Sequence, residues 1–316
     1  MRVIRHLEHV SPRLPRVVLT LGNFDGVHLG HQAIVRRAVA EARAVGGQAV
    51  VMTFHPHPIA IVAPAKTPPL IQPLRDRLAA LRPLGADVCA VQRFTPAFAA
   101  LVPEAFVRDF LLRRLDLAHV VVGYDVTFGR NRAGGIDTLR TLGAVHGFTV
   151  DTVGPVTVDA LTVSSTELRR LVRAGDVRQV GRLLGRPYTL RGRVVGGERR
   201  GRLLGFPTAN LHLRDEVLLP LDGVYAITAR IDGRPLPAVL NVGVRPTFGT
   251  PRRAVEAHVL DWSGDLYGDW LEIELVERLR GEMRFAGLDA LRTAIAADVE
   301  RARAVLGGAP AGTAGG

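Results

Sequence analysis

The hydrophobic rhythm of the chain changes near residue 185. Before that point, short β-branched runs alternate with stretches of helical period. Val17-Val18-Leu19-Thr20-Leu21 precedes a pattern with Ile34, Val35, Ala38, Val39 and Ala42 on one helical face, and Ala49-Val50-Val51-Met52-Thr53-Phe54 follows. This order predicts a βαβ unit. Gly46-Gly47 closes the helix, because glycine takes a left-handed cap without steric cost. The apolar runs lack polar alternation, which predicts a parallel sheet covered on both faces. Further strands are expected at Asp87 to Val91, His119 to Gly123 and Phe148 to Thr152, with helices near Glu104 to Leu115 and Ile136 to Val145. The expected fold is an α/β doubly wound parallel sheet.

Helical patterns at Thr166 to Ala174 and Val177 to Leu184 lead to the breaker Gly185-Arg186-Pro187. Beyond it the period shortens to two. Strands are expected at Tyr188 to Val195, Gly223 to Ile231, Ala238 to Val242, Ala254 to Leu260 and Trp270 to Val276, with a turn at Asp232-Gly233. These predict a mostly β barrel. Leu291, Ile295 and Val299 repeat at helical spacing within Leu288 to Val305, so one C-terminal helix is expected against the barrel. The reading divides the chain into domains 1–185 and 186–306, followed by a disordered tail at 307–316. There is no evident repeat between the halves.

The length of 316 residues accommodates two such cores. Forty-one basic and 30 acidic residues give a net charge of +11, and 40 of the basic residues are arginine. The single lysine, Lys66, lies among prolines, which excludes a Walker A loop and disfavours Schiff-base chemistry. Cys89 is alone, so the chain can form neither an internal disulfide nor a cysteine-based zinc site. No run approaches the roughly 18 apolar residues of a membrane span. A cytoplasmic protein with no membrane partner is expected. The positive charge suits nucleic acid or the phosphates of small nucleotides, and it also follows from a skewed genome composition. On balance no nucleic-acid partner is expected.

Gly22-Asn23-Phe24-Asp25-Gly26-Val27-His28-Leu29-Gly30-His31 stands where the first predicted strand ends and a helix begins. In an open α/β sheet this is the ligand crevice, and a helix N-terminus there offers unpaired N–H groups to an anion. A structural turn with surface histidines is the plainer reading. Zinc is a third, nominally helped by His55 and His57, but Pro56 and Pro58 stiffen that loop and no His-Glu-x-x-His base is present. Ser164-Ser165-Thr166-Glu167-Leu168-Arg169 opens a predicted helix, where it serves equally as a phosphate site or as an N-cap.

His28-Leu29-Gly30-His31 resembles the His-x-Gly-His motif of nucleotidylyl transferases, and the longer segment resembles its bacterial FAD synthetase version. Ser164 to Arg169 is similar to that family's Ser-Ser-Thr-x-x-Arg. Gly123-Tyr124-Asp125-Val126-Thr127-Phe128-Gly129 is similar to its third landmark, with Val126 in place of phenylalanine; His55 replaces a frequent acidic residue. The resemblance implies attack of an FMN phosphate oxygen on the α-phosphorus of ATP. It implies catalytic roles for His28 and His31. ATP or phosphate contacts would come from Gly22, Asn23, Phe24, Asp25, His28, His31, Ser164, Ser165, Thr166 and Arg169. FMN contacts would come from Asp125 and Phe128.

Residues Gly192 to Asn210 are rich in glycine and arginine and, by composition, form either a solvated basic hairpin, a phosphate loop or an RNA contact. Their ending, Pro207-Thr208-Ala209-Asn210, resembles the Pro-Thr-Ala-Asn motif of riboflavin kinases. Gly223-Val224-Tyr225-Ala226, Asn241 to Phe248, Val255 to Asp261 and Asp265 to Gly268 follow in the order of that family. Gly196 departs from a common histidine. The resemblance implies that Gly197, Gly201, Gly205, Phe206, Pro207, Thr208 and Asn210 bind ATP, with Thr208 and Asn210 as oxygen ligands for Mg2+. It makes Glu256 the catalytic base and gives Arg280, Glu282 and Phe285 flavin contacts. The chain is thereby identified as similar to bifunctional riboflavin kinase and FAD synthetase enzymes acting on riboflavin, FMN and ATP. The rival readings are an enzyme with one live activity, and a flavin- or RNA-binding regulator.

Overall fold

The computed structural model describes residues 1–197, 205–245 and 252–307. Gly201, the segment Pro246-Thr247-Phe248 and all but the first residue of the expected tail at 307–316 lie outside the described residues; Gly307 instead ends the last helix. Two compact units divide the chain, Met1–Ser165 and Thr166–Gly316.

The first unit is a six-stranded parallel sheet. Its strands are β1 (Arg2–Arg5), β2 (Leu14–Leu21), β3 (Gln48–His55), β4 (Val88–Arg93), β5 (Leu115–Gly123) and β6 (Thr149–Val153), in the spatial order β1-β4-β3-β2-β5-β6. From β2 the chain steps one way to β3 and β4, then returns to lay β5 and β6 on the other side. The reversal lies between β2 and β5, and the crevice at their carboxyl ends is the ligand position of such sheets. Alternate residues feed opposite faces: Val17, Leu19 and Leu21 enter one cluster with Met52, Val120 and Val122. Val18 and Val121 pack instead with Ala38 and Ala42 of helix α1 (Leu29–Ala44). Gly46 has φ +61°, the left-handed cap that the sequence required.

Three local expectations need correction. β1 was not foreseen, because two arginines flank only two apolar residues and most of its side chains are exposed, which gives an edge strand little hydrophobic signal. The helix expected to reach Leu115 is a π-helical segment over Phe106–Leu111, and β5 begins at Leu115. A short helix α2 (Leu74–Leu81) also escaped notice. Helix α3 (Ile136–His146) follows expectation.

Helix α4 (Ser165–Ala174) begins on the last residue of the first unit and runs into the second, where it and α5 (Val177–Leu184) precede a closed six-stranded antiparallel barrel. The barrel comprises β9 (Tyr188–Val195), β10 (Ala209–His212), β11 (Gly223–Ile231), β12 (Arg234–Arg245), β13 (Arg252–Val259) and β14 (Trp270–Arg280), the small pair β7 (Thr157–Val158) and β8 (Leu161–Thr162) lying earlier in the chain. Asp232 and Gly233 both have positive φ, so β11 and β12 join through a two-residue hairpin turn. Tyr225, Ile227, Leu240, Val242, Val255 and Ala257 alternate along their strands as buried positions. The opposite face contributes Val224, Ala226 and Val239, which pack with Val299 and Ala302 of helix α6 (Leu288–Gly307). β10 was missed because it is short and half-polar.

Candidate active sites

The turn after β2 is strained and heavily tied down. Phe24 and Val27 hold φ of +49° and +40°, conformations that cost a non-glycine residue of order 1–3 kcal/mol each. Gln32 Nε2 donates to the Val27 carbonyl at 3.0 Å, and Thr53 Oγ1 donates to the Asn23 carbonyl at 3.0 Å. The buried Asp25 carboxylate accepts from the N–H groups of Ile71 and Gln72, which anchors the turn to the loop before α2.

Geometry fixes the first histidine. His28 is the N-cap of α1, and its Nδ1 accepts from the His31 N–H at 3.2 Å. The ring proton of the neutral form is therefore assigned to Nε2. His31 stacks on His28 with centroids 3.6 Å apart and meets Phe24 edge-on at 5.2 Å. Burial, then the neighbouring His28 and Arg77, hold the His31 imidazole well below its ordinary range, so it is neutral at pH 7.

Ser165, the last residue of this unit, meets the turn. Ser165 Oγ donates to the Asp25 carbonyl at 2.9 Å. A Cβ at Gly30 would lie 3.2 Å from the His28 ring and 3.5 Å from the Val163 carbonyl, so the stretch before Ser164 closes over the helix start. At the end of β5, a Cβ on Gly123 would stand 3.1 Å from Ile34 of α1 and 3.3 Å from the Asp125 carboxylate. Asp125 is exposed, whereas Phe128 is buried against Phe106, with ring centroids 5.6 Å apart. Thr166 is exposed and Arg169 half-buried on α4.

The barrel's candidate site lies on the outer wall. Asn210 of β10 and Asn241 of β12 each pair in register with Glu256 of β13, which places three polar side chains side by side on one face. Asn241 and Glu256 border a cavity of about 320 Å³ between that wall and α6, lined also by Thr208, His258, Arg280 and Asp298. Phe206, Glu282 and Phe285 line the same cavity. A side chain at Gly197 would overlap the Asn210 amide. His258 Nδ1 lies 2.8 Å from the Pro207 carbonyl and its ring meets Phe206 edge-on, which supports the segment before Thr208. Gly205 has φ +87°.

Asp298 is 1% exposed and binds Arg280 through contacts of 3.0 and 2.7 Å, with Arg301 as a second partner. Arg280 also lies over the Phe285 ring at 5.7 Å. Sequence reading includes Asn241 and His258 in motif segments without giving either a role, and it misses Asp298. Helical spacing shows Asp298 on the face of Ile295 and Val299, but its partner becomes visible only when β14 is in place.

The family model for FAD synthetase matches residues 11–167, and that for riboflavin kinase matches residues 184–306. A bifunctional riboflavin kinase/FMN adenylyltransferase of Pseudomonas fluorescens is 41% identical over 306 residues, covering 96% of this chain and 98% of that protein. The chain belongs to the bifunctional riboflavin kinase/FMN adenylyltransferase family.

Members of the same description in Escherichia coli strain K12 and Bacillus subtilis strain 168 are 38% and 36% identical over 310 and 305 residues. The first covers 97% of this chain and 98% of its own; the second covers 95% and 96%. A crystal structure from Streptococcus pneumoniae, described as a macrolide-efflux protein, superposes with a TM-score of 0.85 at 30% identity, covering 96% of this chain and 99% of that one. Among the described residues of this family member, no helix is long and apolar enough to cross a membrane. Its α/β unit corresponds to the FAD synthetase match and its barrel to the riboflavin kinase match.

Proposed function

We propose that this chain makes FMN from riboflavin and ATP at the barrel wall, and FAD plus pyrophosphate from FMN and ATP at the turn after β2. The observation that carries the reading is the register that sets Glu256 beside Asn210 at the edge of a cavity large enough for part of a flavin. Phosphorylation is assigned to 186–306 and adenylylation to 1–185.

Glu256 takes the proton of the riboflavin 5′-hydroxyl as that oxygen attacks the γ-phosphorus, and ADP departs. The Thr208 hydroxyl and the Asn210 amide oxygen are hard donors at one edge of this site, the chemistry that Mg2+ carrying ATP phosphates requires. They would hold the ion, which supplies charge neutralisation. Arg280, Glu282 and Phe285 contact the flavin. Gly197, Gly205, Phe206 and Pro207 shape the ATP side.

At the other site no protein nucleophile is needed. An FMN phosphate oxygen attacks the α-phosphorus of ATP and pyrophosphate leaves, so the protein orients the reactants and stabilises charge. The Nε2–H of His28 donates to phosphate, with His31 stacked behind it. Gly22, Asn23, Phe24 and Asp25 supply the backbone of the turn, and Ser164, Ser165, Thr166 and Arg169 steady the leaving phosphates. Asp125 and Phe128 are placed on the FMN side. The same reading puts the protein in the cytoplasm, with small-molecule partners only.

The test is to incubate the purified chain with riboflavin, Mg2+ and ATP and to resolve the flavins by chromatography. FMN should appear first and FAD after it. Failure to convert supplied FMN to FAD would remove the second activity.

A further inference from the structure

Arg77 heads the fully buried side chains in volume, at 1% exposure, and it carries a charge. Its Nη1 donates to the Asn23 carbonyl at 2.8 Å, to Thr53 Oγ1 at 3.1 Å and to the Phe54 carbonyl at 3.3 Å. These acceptors lie at the carboxyl ends of β2 and β3. Its Nε has no hydrogen-bond partner among the described residues. A buried guanidinium with an unpaired N–H is a poor filler of space, since an apolar side chain of similar volume carries no desolvation cost. That cost has to be offset by something the guanidinium does.

Two effects are visible. First, Arg77 and Thr53 both donate to the Asn23 carbonyl, which opens the strained turn containing Phe24 and Val27. Strained backbone persists only where its surroundings over-determine it. Second, the guanidinium sets a permanent positive charge close enough to His31 to oppose its protonation. The titratable groups facing His31 are His28 from its own turn and Arg77 from α2. Arg77 in turn faces Asp25 of the turn and Cys89 of β4.

We propose that Arg77 is a positioning residue of the adenylyl-transfer site, holding Asn23 in place and keeping a fixed positive charge behind the His28–His31 pair. It acts through Asn23 and His31 and needs no contact with substrate. A neutral His31 stays stacked on His28 at 3.6 Å, a contact that protonation would weaken by placing charge against the neighbouring ring and the Arg77 guanidinium. The inference rests on the adenylyl-transfer reading above. Only a wild-type chain that forms FAD makes its test meaningful, and a wild type that forms none overturns that reading instead.

The experiment compares the full-length wild type with Arg77→Met, Arg77→Lys and Thr53→Val. FAD formation from supplied FMN and ATP-Mg2+ is followed across pH, with thermal unfolding of each sample. In Arg77→Met, kcat should fall at least about tenfold with the KM for FMN little changed, because orientation is lost rather than substrate binding. Its acid limb should move to higher pH, since removing the positive charge raises the His31 pKa and protonation begins sooner. Arg77→Lys should restore the limb and part of kcat. Thr53→Val keeps the charge and removes one tie to Asn23, so kcat should fall with the limb in place.

Wild-type kcat and an unmoved limb in Arg77→Met overturn the proposal. Equal losses in the Met and Lys variants, with neither limb displaced, overturn it as well and reduce Arg77 to packing. Should Arg77→Met not unfold cooperatively, Arg77→Lys and Thr53→Val decide. The proposal then fails if the Lys variant loses the acid limb or the Val variant keeps wild-type kcat.

Discussion

Ser165 donates its hydroxyl to the backbone carbonyl of Asp25 at 2.9 Å, across 140 positions of sequence. The bond joins the last residue of the first unit to the turn that carries the histidines. A glycine-rich turn and a serine-threonine helix start, each ambiguous alone, become one construction.

Substitution in the His28–His31 pair should separate the two activities. His31→Ala should lower FAD formation from FMN by about two orders of magnitude, the scale of losing one preorganised charge-stabilising group. Riboflavin phosphorylation in the same sample should be unchanged. Chromatographic assay of both products reads this directly, and an undiminished FAD rate takes His31 out of the site.

Glu256→Gln gives the converse. The substitution keeps the shape beside Asn210 and Asn241 and removes the base, so FMN production should drop by about two to four orders of magnitude. Adenylylation of supplied FMN should continue. A kinase rate near wild type would leave Glu256 as an ordinary strand residue.

Gly197 tests the ATP side of the barrel wall. An added methyl overlaps the Asn210 side-chain amide, which must then leave its place. Gly197→Ala should raise the KM for ATP in FMN formation by about tenfold, equivalent to ~1.4 kcal/mol of lost binding. The unfolding midpoint should hardly move, because Gly197 lies beyond the end of β9. An unaltered KM would show that Asn210 does not meet the nucleotide.

Fragment design follows from α5. Val177, Val180, Leu183 and Leu184 are buried, and the helix packs on β14 and β9. A fragment of residues 166–316 should therefore be more stable than one of residues 186–316. Each buried aliphatic side chain contributes about 1.5–3 kcal/mol, so the difference should be several kcal/mol. Urea unfolding of the two fragments measures it. Equal stability would mean that α5 is decoration on the barrel.

Much of the architecture was legible because it rests on local pattern. Val17 to Leu21 and Ala49 to Phe54 are continuous apolar runs since both faces of their strands are covered. Gly223 to Ile231 shows period two, and Asp232-Gly233 supplies the hairpin turn. What stayed hidden depends on register or on distant contacts. Arg77 reads as one more basic residue in a short helix until Asn23 and Phe54 are placed around it. Asn241 gains meaning only from its position opposite Glu256. The boundary expected at Gly185 follows the change of period, whereas the compact units divide at Ser165, ahead of both connecting helices.

The placement of the kinase cavity outside the barrel, under α6, imposes an order on synthesis. The turn at His28 and the helix start near Arg169 emerge early from the ribosome, whereas Asp298, which holds Arg280, emerges on the order of ten seconds later at ordinary elongation rates. A nascent chain thus completes its FAD synthetase-like unit before the wall of the barrel cavity exists. The half that consumes FMN is built before the half that supplies it.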